Sequence, residues 1–356
     1  MREFGYTSVA DVGEALTALQ EPGTRLLAGG TEMLNWLKEG IERPERLVDI
    51  TALPLRAVEP LPGGTGTGSG SGLRIGALAR MSDVAAHPEV ARGYPVLAES
   101  LLLAASPQLR NMATVGGTLQ QRTRCPYFRA ETGDLPCNKR TPGSGCAVLR
   151  SGETEEHALF GWTEECVATH PSDMAVALAA LDATVLVEGP RGARRVPAGA
   201  FHLTPEQAPP ERHTALAPDE LITGVEVPGP APLSHYVKVR QRASYEFALV
   251  SAAAAVELAA DGTLAAARIA LGGVAHRPWR LTAAEETLRG VDPEDGGAVH
   301  TALARDFAAA RPLPGGANGR GNAYKTELAR RTAVRAIRDA SRRDAASGAG
   351  REGSLS

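Results

Sequence analysis

Cysteine is scarce in this sequence: there are four in 356 residues, and none lies outside residues 125–166. That scarcity excludes the disulfide-built scaffold of small secreted domains, and a chain of this length buries an ample core without staples. Aromatic residues are also few, at 4%. Set beside abundant Ala and Gly, this reads as coding bias and excludes no fold. Charge of one sign is missing too. With 38 Lys and Arg against 41 Asp and Glu, the formal net charge is -3, so a general nucleic-acid or membrane-surface role has no electrostatic basis. No apolar run approaches the roughly 18–20 residues of a membrane span. Residues 1–10 lack the basic-then-apolar pattern of a secretory leader. The chain therefore reads as soluble and cytoplasmic, without an internal repeat.

What the sequence does have is concentration. Cys125, Cys137, Cys146 and Cys166 are separated by eleven, eight and nineteen residues, in a segment rich in Arg, Pro and Gly. Hydrophobic periodicity is weak over 125–150, so something other than a core must order the segment. Four thiolates around a metal centre would do so. The spacing matches neither the paired C-x-x-C of a zinc ribbon nor the tight runs of small ferredoxins. Two disulfides, or buried thiols acting as small hydrophobes, are the bland alternatives. Cys125 precedes Pro126, and Cys137 stands between Pro136 and Asn138, which suits a ligand-bearing loop better than a packed helix.

Along the chain, residues 9–19 show helical spacing and 25–28 read as a short buried strand. Gly29-Gly30-Thr31-Glu32 follows, before a predicted helix over 33–39. A strand handing over to a helix at paired glycines presents unpaired amides, which can cradle an anion. An ordinary tight turn has the same sequence. Residues 44–50 predict another strand, 55–59 pairs with 73–77, and the Gly, Thr and Ser run over 63–72 predicts a flexible loop. Residues 82–105 show a helical pattern, with Ser82 and then Pro95 near the helix starts. A second glycine turn lies in 110–119, where a bulged strand is the plain alternative.

After the cysteines, Ser172 and Asp173 mark the start of a helix over 174–181, as cap and first-turn acid. His170 is a surface residue, a cofactor contact or one more metal ligand. Strands are predicted over 183–187 and 220–227. The proline-rich piece 228–232 predicts a domain boundary. Beyond it come three strands (235–242, 250–258, 265–271) and then helices over 282–288, 299–309 and 322–340, an α+β arrangement. Residues 341–356 predict a disordered tail.

Taken together, Leu26 to Glu32, Arg110 to Thr118, Pro171-Ser172-Asp173 and Gly321-Asn322-Ala323-Tyr324-Lys325 resemble the FAD-binding medium subunit of molybdenum hydroxylases, the xanthine dehydrogenase and carbon monoxide dehydrogenase family. The resemblance spans about residues 1–340. Gln121 to Cys125, Pro136 to Arg140, Gly143 to Cys146 and Cys166 ahead of His170 are similar to the periplasmic aldehyde oxidoreductase type, whose flavin subunit carries an inserted loop with a 4Fe-4S cluster. Soft thiolates suit such a cluster.

The resemblance implies an α+β fold: a two-subdomain PCMH-type FAD-binding domain over 1–228 (subdomains 1–52 and 53–228, iron-sulfur loop 119–166) and a carbon monoxide dehydrogenase flavoprotein C-terminal-like domain over 233–340, a three-stranded sheet plus helices. It implies that Ala28, Gly29, Gly30, Thr31 and Glu32 wrap the FAD pyrophosphate, with Thr114, Gly117 and Thr118 as a second contact. Asp173 would meet the adenosine ribose, Ile222 the adenine or flavin side and Lys238 the flavin, with Leu27, His170 and Ser172 as further cofactor contacts. Cys125, Cys137, Cys146 and Cys166 would hold the 4Fe-4S cluster. Thr118 departs from a common Asn, so a side-chain contact is lost there while the backbone contact stays. No acid-base or nucleophilic catalytic residue is expected. The implied assembly is a heterotrimer with a large molybdenum-cofactor subunit and a small 2Fe-2S subunit, exportable as a folded complex on a partner's signal. The alternatives are a free-standing flavin reductase of the same fold and a zinc-stabilised, non-enzymatic binding protein.

Overall fold

The computed structural model describes residues 2–61, 72–151, 153–315 and 319–343. Most of the loop expected over 63–72 and of the tail expected over 341–356 lies outside the described residues. Strands β1 (Gly5–Ser8), β2 (Thr24–Leu27) and β3 (Arg46–Asp49) form a parallel sheet in the order β1-β3-β2. Parallel neighbours need crossovers, which the helices Val12–Leu19 and Met33–Lys38 supply. Asp11 starts the first helix, its carboxylate accepting the Glu14 N–H at 2.8 Å. The Gly29-Gly30 turn follows β2 directly, at the carboxyl edge of the sheet, where ligands enter open parallel sheets.

A second, five-stranded antiparallel sheet comprises β4 (Val58–Pro60), β5 (Leu73–Gly76), β6 (Thr184–Gly189), β7 (Gly192–Pro197) and β8 (Leu221–Val227), in the order β4-β5-β8-β6-β7. Val185 and Val187 alternate inward from β6 onto Leu97, Leu101, Leu178 and Phe201, all in one core. The helical stretch expected over 82–105, with starts near Ser82 and Pro95, divides into three helices, Met81–Ala86, Pro88–Gly93 and Pro95–Leu103. Pro88 and Pro95 each stand at a first helical position, because proline cannot donate in a helix interior.

The third sheet has four strands rather than the expected three: β9 (Ser234–Val239), β10 (Val250–Leu258), β11 (Leu264–Gly272) and the two-residue β12 (Trp279–Arg280), antiparallel in the order β12-β11-β10-β9. β12 is too short to leave an alternation in the sequence. Both faces of β10 are buried. Ala253 and Ala255 face the core of the second sheet, while Ala252, Ala254 and Val256 face that of the last helix, Tyr324–Ser341. Alanine on both faces lets helices approach from either side, so the third sheet shares a core with the second. The helix expected over 299–309 divides into Gly296–Ala302 and Ala304–Phe307. Among the described residues no helix is long and apolar enough to cross a membrane.

The start of the last helix is fastened by two fully buried polar residues. Asn322 donates to the carbonyls of His157 at 3.0 Å and Ala158 at 3.1 Å, and its Oδ1 accepts the Leu313 N–H at 2.6 Å. Lys325 Nζ donates to the carbonyls of Glu156 and His157, both at 3.1 Å, and of Gly273 at 2.6 Å. Replacing Asn322 by Ala is expected to lower stability by about 2–4 kcal/mol, three buried hydrogen bonds at roughly 1 kcal/mol each plus stranded partners, read by urea denaturation. Burial also pushes Lys325 from its ordinary 10.5 down to about 7, against the opposing charge of Glu156. Between those pH values the unfolded chain holds a proton that the folded chain has released, so stability carried through Lys325 rises with pH. Relative to a Lys325→Met variant, the protein should gain stability from pH 7 to pH 9.5. A gap between the two that stays constant would refute this.

Candidate functional site

Ala28 to Glu32 lead from β2 into the helix Met33–Lys38. Gly30 has φ +72, a conformation that favours glycine. Its carbonyl accepts the Leu34 N–H at 3.0 Å, and the Thr31 carbonyl accepts the Asn35 side chain at 3.1 Å. Gly29 is constrained differently. A Cβ there would stand 1.8 Å from the Met112 carbonyl oxygen, so the second glycine stretch closes directly onto the first.

That second stretch is a short helix, Val115–Leu119, and not the bulged strand offered as its plain reading. Thr114 caps it, with Oγ1 accepting the Gly117 N–H at 3.2 Å. The Thr118 hydroxyl donates to Met81 Sδ at 3.3 Å, so this side chain is satisfied inside the core.

Between the two turns lies a cleft of about 700 Å³, within the usual span for cofactor sites. Ala28, Gly29, Gly30, Thr31, Glu32, Thr114, Gly117, Thr118 and Ile222 all line it. Leu27 does not; it stays in β2, partly buried. Sequence reasoning did not place Gln120, Gln121, Arg122, residues 211–214 or residues 216–218 on this wall, which they also line. Residues 211–218 have no periodicity, and only their fold places them here.

His170, Ser172, Asp173 and Lys238 do not line this cleft. The first three border a second, smaller cavity together with Arg124, Cys125 and Phe247. Ser172 Oγ accepts the Ala175 N–H at 3.3 Å, the cap predicted for it. Asp173, expected at a ribose, is buried with both oxygens engaged: Lys238 Nζ donates at 2.8 Å and the Tyr236 hydroxyl at 2.7 Å. Burial pushes the Asp173 carboxyl up, opposed by the Lys238 charge. Lys238 Nζ also donates to the Leu103 carbonyl at 3.1 Å, so the ammonium is satisfied by the protein alone.

All four cysteines line one further cavity, which shares Thr123 and Cys125 with the second. All four are free thiols, so the two-disulfide alternative does not hold. Cys137 and Cys146 face each other across an isolated antiparallel bridge. Burial pushes Cys125 up to about 12 and Cys166 to about 11, and raises Cys137 as well. Such thiols ionise only when positive charge is brought to them. Among the described residues no three His, Cys, Asp or Glu side chains converge tightly enough for one metal ion. The four thiols border one small cavity, of about 20 Å³.

Buried histidines stand nearby. His170 and His202 have ring centroids 3.8 Å apart, and His202 Nε2 lies 2.7 Å from the Leu119 carbonyl, which makes it the donor. Burial pushes His202 down to about 4 and His170 well below its ordinary value, so both are neutral.

Residues 2–230 match the family model of the FAD binding domain in molybdopterin dehydrogenase, and residues 235–340 that of the CO dehydrogenase flavoprotein C-terminal domain. The chain is 46% identical over 342 residues to the aldehyde oxidoreductase FAD-binding subunit PaoB of Escherichia coli, covering 96% of this chain and 99% of that one. It is 29% identical to the carbon monoxide dehydrogenase medium chain of Afipia carboxidovorans, over 90% of each chain. A solved carbon monoxide dehydrogenase from Hydrogenophaga pseudoflava superposes with a TM-score of 0.69 at 27% identity, covering 95% of this chain and 97% of that one.

The contact between the turns makes a graded prediction. Gly29→Ala drives a Cβ into backbone and should cost about 1–3 kcal/mol, while Gly117→Ala meets only the Thr114 Oγ1 at 3.0 Å and should cost less. Thermal denaturation of both variants checks the order, and equal losses would contradict the contact.

Proposed function

The chain belongs to the FAD-binding medium subunits of the molybdenum hydroxylase family, and from that membership we propose that it is the electron-relay subunit of an aldehyde-oxidising complex. Substrate is oxidised at a molybdenum cofactor on a large partner subunit, and electrons reach this chain through 2Fe-2S centres on a small partner. Bound FAD supplies the redox chemistry, accepting those electrons and passing them to an external acceptor.

This chain's own residues bind and orient. The amides of Ala28 to Glu32 receive the diphosphate, Thr114, Gly117 and Thr118 wall the cleft opposite with the N–H groups of Val115 to Thr118 already bonded within the protein, and Ile222 gives an apolar wall. His170, Ser172 and Asp173 border the neighbouring cavity without entering the diphosphate cradle, and Lys238 holds Asp173 there. Cys125, Cys137, Cys146 and Cys166 hold a 4Fe-4S cluster beside it. Four thiols lining a single cavity support that assignment, and 46% identity over nearly the full length to an aldehyde oxidoreductase subunit supports the aldehyde class. In this reading residues 1–228 form the flavin-binding part and residues 233–340 close it from behind.

The observation that carries the reading is the meeting of two glycine turns across a cleft of about 700 Å³. Anaerobic purification with copurifying subunits, followed by flavin and metal analysis, tests it. The expected result is one FAD and about four iron per chain, with molybdenum in the partner. Cys166→Ser should lose most of the iron. One zinc per chain and no flavin would overturn the proposal.

A further inference from the structure

The helix Met33–Lys38, which begins at the first glycine turn, is tied at both ends to the cysteine segment. At its start the Glu32 carboxylate, in a residue only 8% exposed, accepts from Arg124 Nη2 at 2.5 Å, Arg129 Nη2 at 2.6 Å and Trp36 Nε1 at 3.1 Å. At its end Arg129 Nη1 donates to Glu39 Oε2 at 2.9 Å, and Arg140 Nη2 to the Glu39 carbonyl at 3.0 Å. Just beyond, Arg122 pairs with Glu42 and lies over the Trp36 ring, 4.4 Å from its centroid. These arginines interleave with the cysteines: Cys125 stands between Arg124 and Arg129, and Cys137 precedes Arg140.

A buried carboxylate held by two half-buried guanidinium groups is stable only while every member stays paired. Glu32 is the last residue of the first glycine turn, so its place and the backbone course of residues 122–129 are not independent. Arg129 is itself seated by that backbone, donating to the carbonyls of Thr123 at 2.9 Å and Arg122 at 3.1 Å. The partners lie 92 and 97 residues from Glu32 in sequence, so no local preference enforces the contact. What orders the cysteine segment also orders Glu32.

We propose that Arg124 and Arg129 are positioning residues for the flavin-binding turn: through the Glu32 carboxylate they transmit the order of the four-cysteine centre to Gly29–Glu32, so that FAD affinity depends on whether that centre is filled. The inference rests on the FAD and cluster assignments above. Linkage makes the effect reciprocal, and bound FAD raises retention of the centre to the same degree.

The test is FAD affinity of the purified full-length chain with its copurifying subunits, read by flavin fluorescence, with iron and sulfide content as a second readout. Arg129→Gln should weaken FAD about tenfold or more while iron stays bound, and Arg129→Lys should restore part of the loss. Because Arg129 acts through Glu32, Arg129→Gln and Glu32→Gln together should weaken FAD by less than the product of their separate effects. Removing iron from the unsubstituted chain by chelation should weaken FAD similarly, and should add little in Arg129→Gln. An Arg129→Gln affinity within about twofold of the unsubstituted chain, with iron retained, overturns the proposal. So does an iron-stripped unsubstituted chain that binds FAD as tightly as the filled one, and this arm decides if the substitution itself costs iron. An unsubstituted chain that takes up no FAD at all defeats the functional reading instead.

Discussion

The site depends on one close approach of backbone to backbone, where the Met112 carbonyl lies against Gly29 so closely that a methyl group would stand 1.8 Å from it. The first turn belongs to the parallel sheet. The second is fastened to the five-stranded sheet, through Val115 N–H to the Ala79 carbonyl at 3.0 Å and Gly116 N–H to the Ala77 carbonyl at 2.8 Å. The glycine contact is therefore the joint between two sheets. Leu78 and Leu221, from the five-stranded sheet and its flank, complete the core of the parallel one. A shared core fixes the angle at the joint, and the joint fixes where the amides of both turns point.

A diphosphate brings two negative charges, and neither Ala28–Glu32 nor Thr114–Thr118 contains a basic side chain. The fold brings arginines from the cysteine segment, paired with carboxylates: Arg124 and Arg129 with Glu32 and Glu39, and Arg122 with Glu42, which Arg25 also shares, so two guanidinium groups meet one carboxylate there. Such pairs add little net stability once desolvation is counted, but they permit only one arrangement. An anion in the cleft then meets the amides of the first turn, which cost no rearrangement when it arrives, and the surplus positive charge of Arg25 and Arg122, which line the same wall.

How much of this was readable in the sequence follows the range of the interactions. The passage from β2 through Gly29-Gly30 to a helix is local, and strand residues, glycines and helical spacing stood in order. The cysteines were marked by their concentration, although nothing in their spacing said that all four face one cavity. The Arg129–Glu32 pair joins residues 97 apart, and no local pattern records it. Asp173 and Lys238 were joined to the cofactor by resemblance. The structure pairs them with each other, Lys238 Nζ donating to Asp173 at 2.8 Å, and sets both off the wall of the larger cleft. Pro95 was read as a helix start, as it is; Pro88 was equally visible and should have divided the stretch 82–94, but apolar spacing outweighed it wrongly.

The cysteine insert is held in two unlike ways. Its outer part is fixed by groups that need no cofactor: Asn322 and Lys325 grip the carbonyls of Glu156, His157 and Ala158, and the Thr154 hydroxyl donates to the Pro314 carbonyl at 2.6 Å. Its inner part, residues 122–146, is held by guanidinium groups and by contacts such as Lys139 Nζ to the Pro210 carbonyl at 2.9 Å and Asn138 Nδ2 to the Glu165 carbonyl at 3.0 Å, and it carries three of the four thiols. It is this inner part that reaches Glu32. An inorganic centre placed there acts on the flavin turn through ion pairs whatever its part in carrying electrons, because the Glu32 carboxylate cannot stay buried unless the segment bearing Arg124 and Arg129 stays in place.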